Sequence, residues 1–405
     1  MKFLFLLALA IILSNTCLYI SCAYAGTEEN LIITARVPDT TPADARVFIT
    51  GNEPFLGEWK ADIAEMKRVN KNTYEFRYFV PETKKLEFKF TRGDFSNVEK
   101  SNDGFEVTNR TILVNPEQVN KIMCDISCWA DLLPLEAQEA MNKLDIKGKY
   151  ELIKDFKSKH LKYKRHVIVL LPENYDKNNS AKRYPVLYMH DGNNLFEPRL
   201  SFAGTDWGID EAVDRLTKEG RMHEIIVVGI FNTAARMDEY TPWYDKAHKF
   251  GGKGNNYEKF MIEELKPYID KHYKTLPDAQ NTSIGGSSLG GLISLYIGLR
   301  HPEVFHGLLV VSPALWWADA KIIQWSLSQN IDPEKTKIWM DIGTDEGEEY
   351  LVQTRKLDNE LRKIFKGSEN YKYIEFKDMP HTEGAWRDRA HLMLLYLYGN
   401  QGEEN

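Results

Sequence analysis

Between Glu151 and Asp378 the chain repeats one pattern: a short apolar run, a loop, then a stretch with helical periodicity. The runs are ELIKDF, RHVIVLLP, YPVLYMHD, EIIVVGIFN, TSIGGSS, GLLVVSPA, KIWMDIGT and KYIEFKD. Several are apolar at successive rather than alternate positions, so such a strand needs cover on both faces. Helical patterns at Trp207–Lys218, Tyr257–His272, Leu289–Arg300 and Thr354–Phe365 supply that cover. The pattern predicts a three-layer α/β domain over residues 145–398, with parallel strands between two layers of helices. No internal repeat or low-complexity segment competes with it.

The first part of the chain reads differently. LIITARV, ARVFITG, TYEFRYFV, KKLEFKFTRG and RTILV are rich in β-branched and aromatic residues, and Pro, Gly, Asn and Lys turns separate them. They predict a small antiparallel β-sandwich over residues 27–117. A connection over 118–144 follows, with a short helix or ordered linker in ADLLPLEAQEAMNKLDIKG. Two folded units fit a chain of 405 residues. Lys and Arg total 52 against 59 Asp and Glu, a net charge of -7, so no basic footprint for nucleic acid is expected.

Residues 1–25 have a basic start, an apolar run from Phe3 to Leu13 and the small-residue ending Ala23-Tyr24-Ala25. That is the form of a secretory signal cut before Gly26, which predicts a secreted or periplasmic protein. No later apolar stretch is long enough to span a bilayer, so no transmembrane segment is expected in the mature chain. In an oxidising compartment Cys124 and Cys128 are expected to close a short loop as a disulfide, because two thiols with no nearby Cys or His complete no zinc shell.

Gly286-Ser287-Ser288-Leu289-Gly290 fits G-x-S-x-G between a strand-like NTSIG and a helix-like GGLISLYIGLRHP. A sharp strand-to-helix turn there projects the Ser288 hydroxyl and leaves the Leu289 amide free at a helix start, where it can bind developing negative charge. The stretch lacks the Lys-Ser or Lys-Thr ending of a phosphate loop. His381 follows the last strand-like run and is the expected general base. Loops at the carboxyl ends of parallel strands converge over the nucleophile. The acid that orients the histidine is expected in the loop of KIWMDIGTDEGEE; Glu346 is chosen, with Asp345 its rival. No metal or cofactor is required by this chemistry.

YPVLYMHDGNNLF, IGGSSLGG, VVSPALWW, MDIGTDEG and PHTEGAW together resemble the Putative esterase (esterase D-like) family of α/β-hydrolases. That family includes enterobactin-type siderophore esterases, acetylxylan and feruloyl esterases, S-formylglutathione hydrolase and, more distantly, mycolyltransferases. The resemblance implies an α/β-hydrolase fold with Ser288 as nucleophile, His381 as base and Glu346 as acid. It also implies that HDGNNLF supplies a second oxyanion donor, the backbone N–H of Gly192 or Asn193, with His190 and Asp191 shaping the loop. In the first part, GNEPFLGEW and EFKFTRG resemble starch-binding-type carbohydrate modules, which would make Trp59 a platform for a sugar face; the alternative is that Trp59 packs in the sandwich core.

Trp207, Arg236, Trp316 and Trp317 fall in loops at the expected mouth of the sheet and are the further substrate-binding candidates. Export and the extra module favour an esterase removing acetyl or feruloyl groups from polysaccharide. A siderophore esterase, an acyltransferase and a non-catalytic glycan-binding protein are the alternatives. The expected partner is an acylated carbohydrate or a siderophore ester.

Overall fold

The computed structural model describes residues 29–140, 143–178 and 181–400; the expected leader lies outside the described residues. The larger part of the chain is built on one sheet. Its strands are β1 (Lys149–Phe156), β2 (Arg165–Leu171), β3 (Val186–His190), β4 (Ile226–Ile230), β5 (Thr282–Ser287), β6 (Gly307–Val311), β7 (Lys337–Gly343) and β8 (Tyr371–Phe376). Their spatial order is β1-β2-β4-β3-β5-β6-β7-β8. β2 is antiparallel to β1 and β4, and all pairings from β4 to β8 are parallel.

Among the helices that cover the sheet are α1 (Ile209–Lys218), α2 (Leu289–Arg300), α3 (Trp317–Leu327), α4 (Glu348–Phe365) and α5 (Glu383–Tyr398), and the helical segments Gly254–Lys259 and Lys266–His272 pack there too. Successive side chains of a strand point to opposite faces. In β6, Leu308 and Val310 join α2, α3 and α4 in one cluster, while Leu309 and Val311 join α1 and α5 in another. This two-sided burial is why the runs are apolar without alternation. The architecture is the α/β layering that the sequence predicts.

The N-terminal module is a sandwich of two four-stranded sheets. One contains, in order, Lys67–Asn70, Thr73–Tyr78, Leu31–Arg36 and Asn120–Asp125; the other contains Ala64–Glu65, Phe48–Gly51, Lys84–Thr91 and Arg110–Val114. Ile33, Ile49, Phe88, Phe90 and Trp129 lie between them. Asn120–Asp125 pairs in parallel with Leu31–Arg36, so residues 120–129, expected within the connection, belong to the module. In NKIMCD only Asn120 and Cys124 are fully buried, with Ile122 half-buried between them, so no apolar run marked it as a strand. The short helix Leu135–Ala140 does fall in the connection.

The expected disulfide is corrected: Cys124 and Cys128 are both free, buried thiols. Cys124 faces the sandwich core, where burial pushes its thiol up to about 11. Cys128 points instead at the backbone carbonyl of Ser101, 2.9 Å from its sulfur. The intervening chain is pinned, since Ile126 N–H donates to Arg36 O at 2.8 Å. Alkylation of unreduced, denatured protein, followed by peptide mass spectrometry, is expected to find both Cys124 and Cys128 modified; a disulfide would leave both unmodified.

Candidate active site

Ser288 sits between β5 and α2 with φ 57° and ψ -120°, a backbone state that L-residues rarely adopt and that clusters at functional sites. Its N–H donates to Val311 O, and its carbonyl accepts from Ala314 N–H, each at 3.0 Å. Those bonds tie the turn to the end of β6. A Cβ on Gly286 would meet both Gly290 Cα and His190 Cβ at 3.1 Å, so the small residues of the motif let the turn press against the end of β3. Thr282–Ser287 and Leu289–Leu299 are all buried, whereas Ser288 is half-buried and reaches solvent.

Leu289 opens α2, so its N–H has no acceptor within the helix. On the neighbouring strand, β3 ends at His190 and the chain turns through Asp191, at φ 54°, into a one-turn 3-10 helix over Gly192–Asn194. A Cβ at Gly192 would lie 2.3 Å from Gly229 C, so only glycine fits where this loop crosses β4. Both oxyanion candidates, Gly192 and Asn193, therefore lie in a loop locked beside the Ser288 turn. The lock is ionic: Arg236 Nε and Nη2 each bind an Asp191 carboxylate oxygen at 2.7 Å, and Asn232 Nδ2 adds a bond of 2.6 Å. Arg236 holds the buried Asp191 carboxyl below its ordinary value against the upward push of burial.

His381 and Glu346 come from the ends of β8 and β7. His381 Nδ1 lies 2.7 Å from Glu346 Oε2. Of the two loop acids, Asp345 is exposed while the Glu346 side chain is fully buried. Glu346 Oε1 accepts from the Gly343 amide and from Ser312 Oγ, both at 2.6 Å. Burial raises the Glu346 pKa, but the bonds from His381, Ser312 and Gly343 outweigh it and hold the carboxyl below its usual range. Behind it, Arg389 Nη2 donates to Ser312 Oγ at 2.7 Å and to Asp341 Oδ1 at 3.0 Å. Trp386 packs edge-on against the His381 ring, with centroids 5.0 Å apart, and Tyr350 lies 5.5 Å away on another side.

The remaining predicted residues divide. Trp207 is 2% exposed and stacks on Trp386, so it backs the histidine rather than lining a pocket. Trp317 is fully buried and donates its indole N–H to Trp243 O. Arg236 is engaged by Asp191 and keeps part of its side chain open to solvent. Trp316 stays half-buried and reaches Tyr350, with ring centroids 6.1 Å apart. Trp59 is outside the sandwich core, also half-buried, and meets Phe202 of the larger domain.

Sequence reasoning missed Ser312, Tyr350, Arg389, Asn194 and Glu383. Asn194 Nδ2 donates to Glu383 Oε1 at 3.3 Å, joining the oxyanion loop to the start of α5, two residues past His381. Burial raises the Glu383 pKa, the nearby Asp191 charge adding to it. His190, 1% exposed, bonds through Nδ1 to Tyr257 Oη at 3.0 Å; burial lowers its pKa to about 3, so it is a neutral wedge under the turn.

Residues 158–394 match the family model described as Putative esterase, and residues 30–121 match the one described as Starch binding domain. The uncharacterized protein YbbA of Bacillus subtilis is 28% identical over 198 residues, 47% of this chain and 73% of that protein. An endo-1,4-beta-xylanase/feruloyl esterase of Xylanibacter ruminicola is 33% identical over 146 residues, 34% of this chain and 18% of that protein. Among solved structures, an enterochelin esterase from Shigella flexneri aligns at 15% identity with a TM-score of 0.51, covering 90% of this chain and 91% of that one; this likeness is one of fold.

Glu346→Gln is expected to lower stability by about 1–3 kcal/mol at pH 7, because a charged acceptor in a filled buried network becomes neutral. Glu346 has a lowered pKa in the folded state. Its contribution is therefore present above the unfolded carboxylate value and lost as pH falls through the folded one. Urea midpoints measured for wild type and variant across a pH series should converge below about pH 4. A gap that does not change with pH would contradict this account.

Proposed function

The chain belongs to the Putative esterase family, and from that premise we propose that it is an exported serine carboxylic-ester hydrolase that removes acetyl or feruloyl groups from polysaccharide. The observation that carries the serine mechanism is the bond of 2.7 Å between His381 Nδ1 and buried Glu346, at the sheet end where the strained turn lifts Ser288 out of its buried surroundings. The carbohydrate substrate is supported by the N-terminal match to a starch-binding domain and by the relative named as a xylanase/feruloyl esterase. Export rests on the leader-like residues 1–25.

In this mechanism Glu346 fixes the His381 ring and stabilises its protonated form. His381 Nε2 takes the Ser288 hydroxyl proton as Oγ attacks the ester carbonyl. The N–H groups of Leu289 and of Gly192 or Asn193 hold the oxyanion, and losing one good donor of such a hole costs roughly 3 kcal/mol of transition-state stabilisation. The tetrahedral intermediate collapses, and His381 gives its proton to the departing alcohol. Water then enters, loses a proton to the same histidine and attacks the acyl-serine; collapse frees the acid and restores Ser288.

Hydrolysis of nitrophenyl acetate, acetylated xylan, methyl ferulate and a catecholate siderophore ester by the mature protein tests this reading. Ser288→Ala is expected to lower turnover at least about a thousandfold without unfolding the chain. The wild-type ranking should place the xylan or ferulate ester above the siderophore. The reverse order would move the assignment to a siderophore esterase, and turnover that survives Ser288→Ala would overturn the serine mechanism.

A further inference from the structure

The module turns one edge toward the catalytic loops. Gly57, Glu58 and Trp59 have φ of 82°, 49° and 61°, three left-handed residues in succession. Two of them carry side chains, which that conformation disfavours. The turn is closed by Trp59 N–H to Gly51 O and Lys60 N–H to Gly57 O, each 2.9 Å. It directs Trp59 and Lys60 away from their own sandwich. Trp59 meets Phe202 edge to face, with centroids 6.3 Å apart at 78°, and the Lys60 ammonium lies 5.5 Å from the centre of the Phe250 ring.

Those two rings belong to different sides of the site. Phe202 lies in the chain that follows β3, and its N–H donates to Asn194 Oδ1, the oxygen that also accepts from Asn193 Nδ2. Phe250 packs on Trp317, which follows β6, with centroids 5.5 Å apart. β3 and β6 are the two sheet neighbours of β5, whose end carries Ser288. Consecutive residues of the module therefore contact the chain that follows β3 and, through Phe250, the Trp317 that follows β6.

The bridge is firmly seated. Phe105 of the module is 2% exposed in the cluster of the larger domain, and the Arg199 guanidinium stacks 4.3 Å from its ring centre. Glu106 N–H donates to Arg199 O at 3.0 Å, and Lys89, itself 2% exposed, points its ammonium at Phe202 from 4.6 Å. Phe202 is 43% exposed, and the half-buried Asn193 and Glu383 both bond to Asn194, the residue whose Oδ1 accepts the Phe202 N–H. An aromatic wall on the same loop network as a carboxylate and an amide suits a pyranose, which has apolar C–H faces and hydroxyl donors at its rim.

We propose that the Trp59–Lys60 turn is a wall of the catalytic pocket, and that Trp59 and Phe202, packed edge to face, form one aromatic platform on which a glycosyl residue of the ester's alcohol half lies. The module then acts inside the reaction site and is no separate tether to polysaccharide. This rests on the carbohydrate-ester reading above.

Calorimetry with acetylated xylooligosaccharide, using Ser288→Ala protein that cannot consume it, tests the proposal. Trp59→Ala and Phe202→Ala, each added to that background, are expected to weaken binding about fivefold to tenfold, and the pair together by clearly less than the product of the two, because both contact one sugar. Trp59→Phe should recover most of the loss. In the active enzyme, Trp59→Ala should lower kcat/KM on the oligosaccharide relative to nitrophenyl acetate by about the same factor. Effects that multiply independently would mean a separate module site, and both that result and unchanged binding would overturn the proposal. Thermal unfolding of each variant guards against reading a folding defect as lost binding. Loss of nitrophenyl acetate turnover in Ser288→Ala tests the esterase reading apart from either result.

Discussion

A fully buried carboxylate at the end of β7 organises the active end of the molecule. The Glu346 side chain has no access to water, so its charge must be met by protein groups. Ser312 and the Gly343 amide satisfy one oxygen, and Arg389 stands behind them between Ser312 and Asp341. That leaves the second oxygen to His381 alone among these partners. The ring is then fixed from both ends: electrostatically by Glu346 and sterically by Trp386, which also donates to Ser312 Oγ at 3.0 Å. Sheet neighbours β6, β7 and β8 all contribute, so the geometry of this dyad is inseparable from the register of the sheet.

The loop after β3, which the proposed mechanism uses to hold the oxyanion, is built by the same logic with different residues. Asp191 is buried and is answered by Arg236 and Asn232, which draws the segment after β4 onto the loop after β3. The two buried carboxylates thus brace the two loops that must face one another across Ser288. Asn194 and Glu383 join those loops directly. In the proposed mechanism, preorganisation of this kind keeps donors and base in place before a substrate arrives, which is where much of the catalytic advantage of such sites lies.

Much of this was legible in the chain alone. Apolar runs without alternation announced strands covered on both faces, and all eight runs are strands of the one sheet, three of which lead into Ser288, Glu346 and His381. The G-x-S-x-G turn was readable because its small residues answer a local steric demand. Other features were invisible for physical reasons. Ser312 and Arg389 are ordinary residues until the fold brings them within 2.7 Å of each other across 77 positions of sequence. Trp207 lies in a loop as expected and Trp317 opens α3, and tertiary packing buries both, because an aromatic ring gains more from a closed contact than from a solvent-facing one. The strand Asn120–Asp125 has too little apolar character to betray itself, and Cys124 and Cys128 are close in sequence but face different surroundings.

Local steric and periodic constraints, which a one-dimensional string does contain, determined the layered sheet, the strand-to-helix turn at Ser288 and the choice of a histidine and an acid from the last strand ends. Which acid is buried, which tryptophans remain open and where the module places Trp59 depended on contacts between segments distant in the chain. Burial and electrostatic compensation are properties of a three-dimensional neighbourhood, and only the tertiary structure decided them.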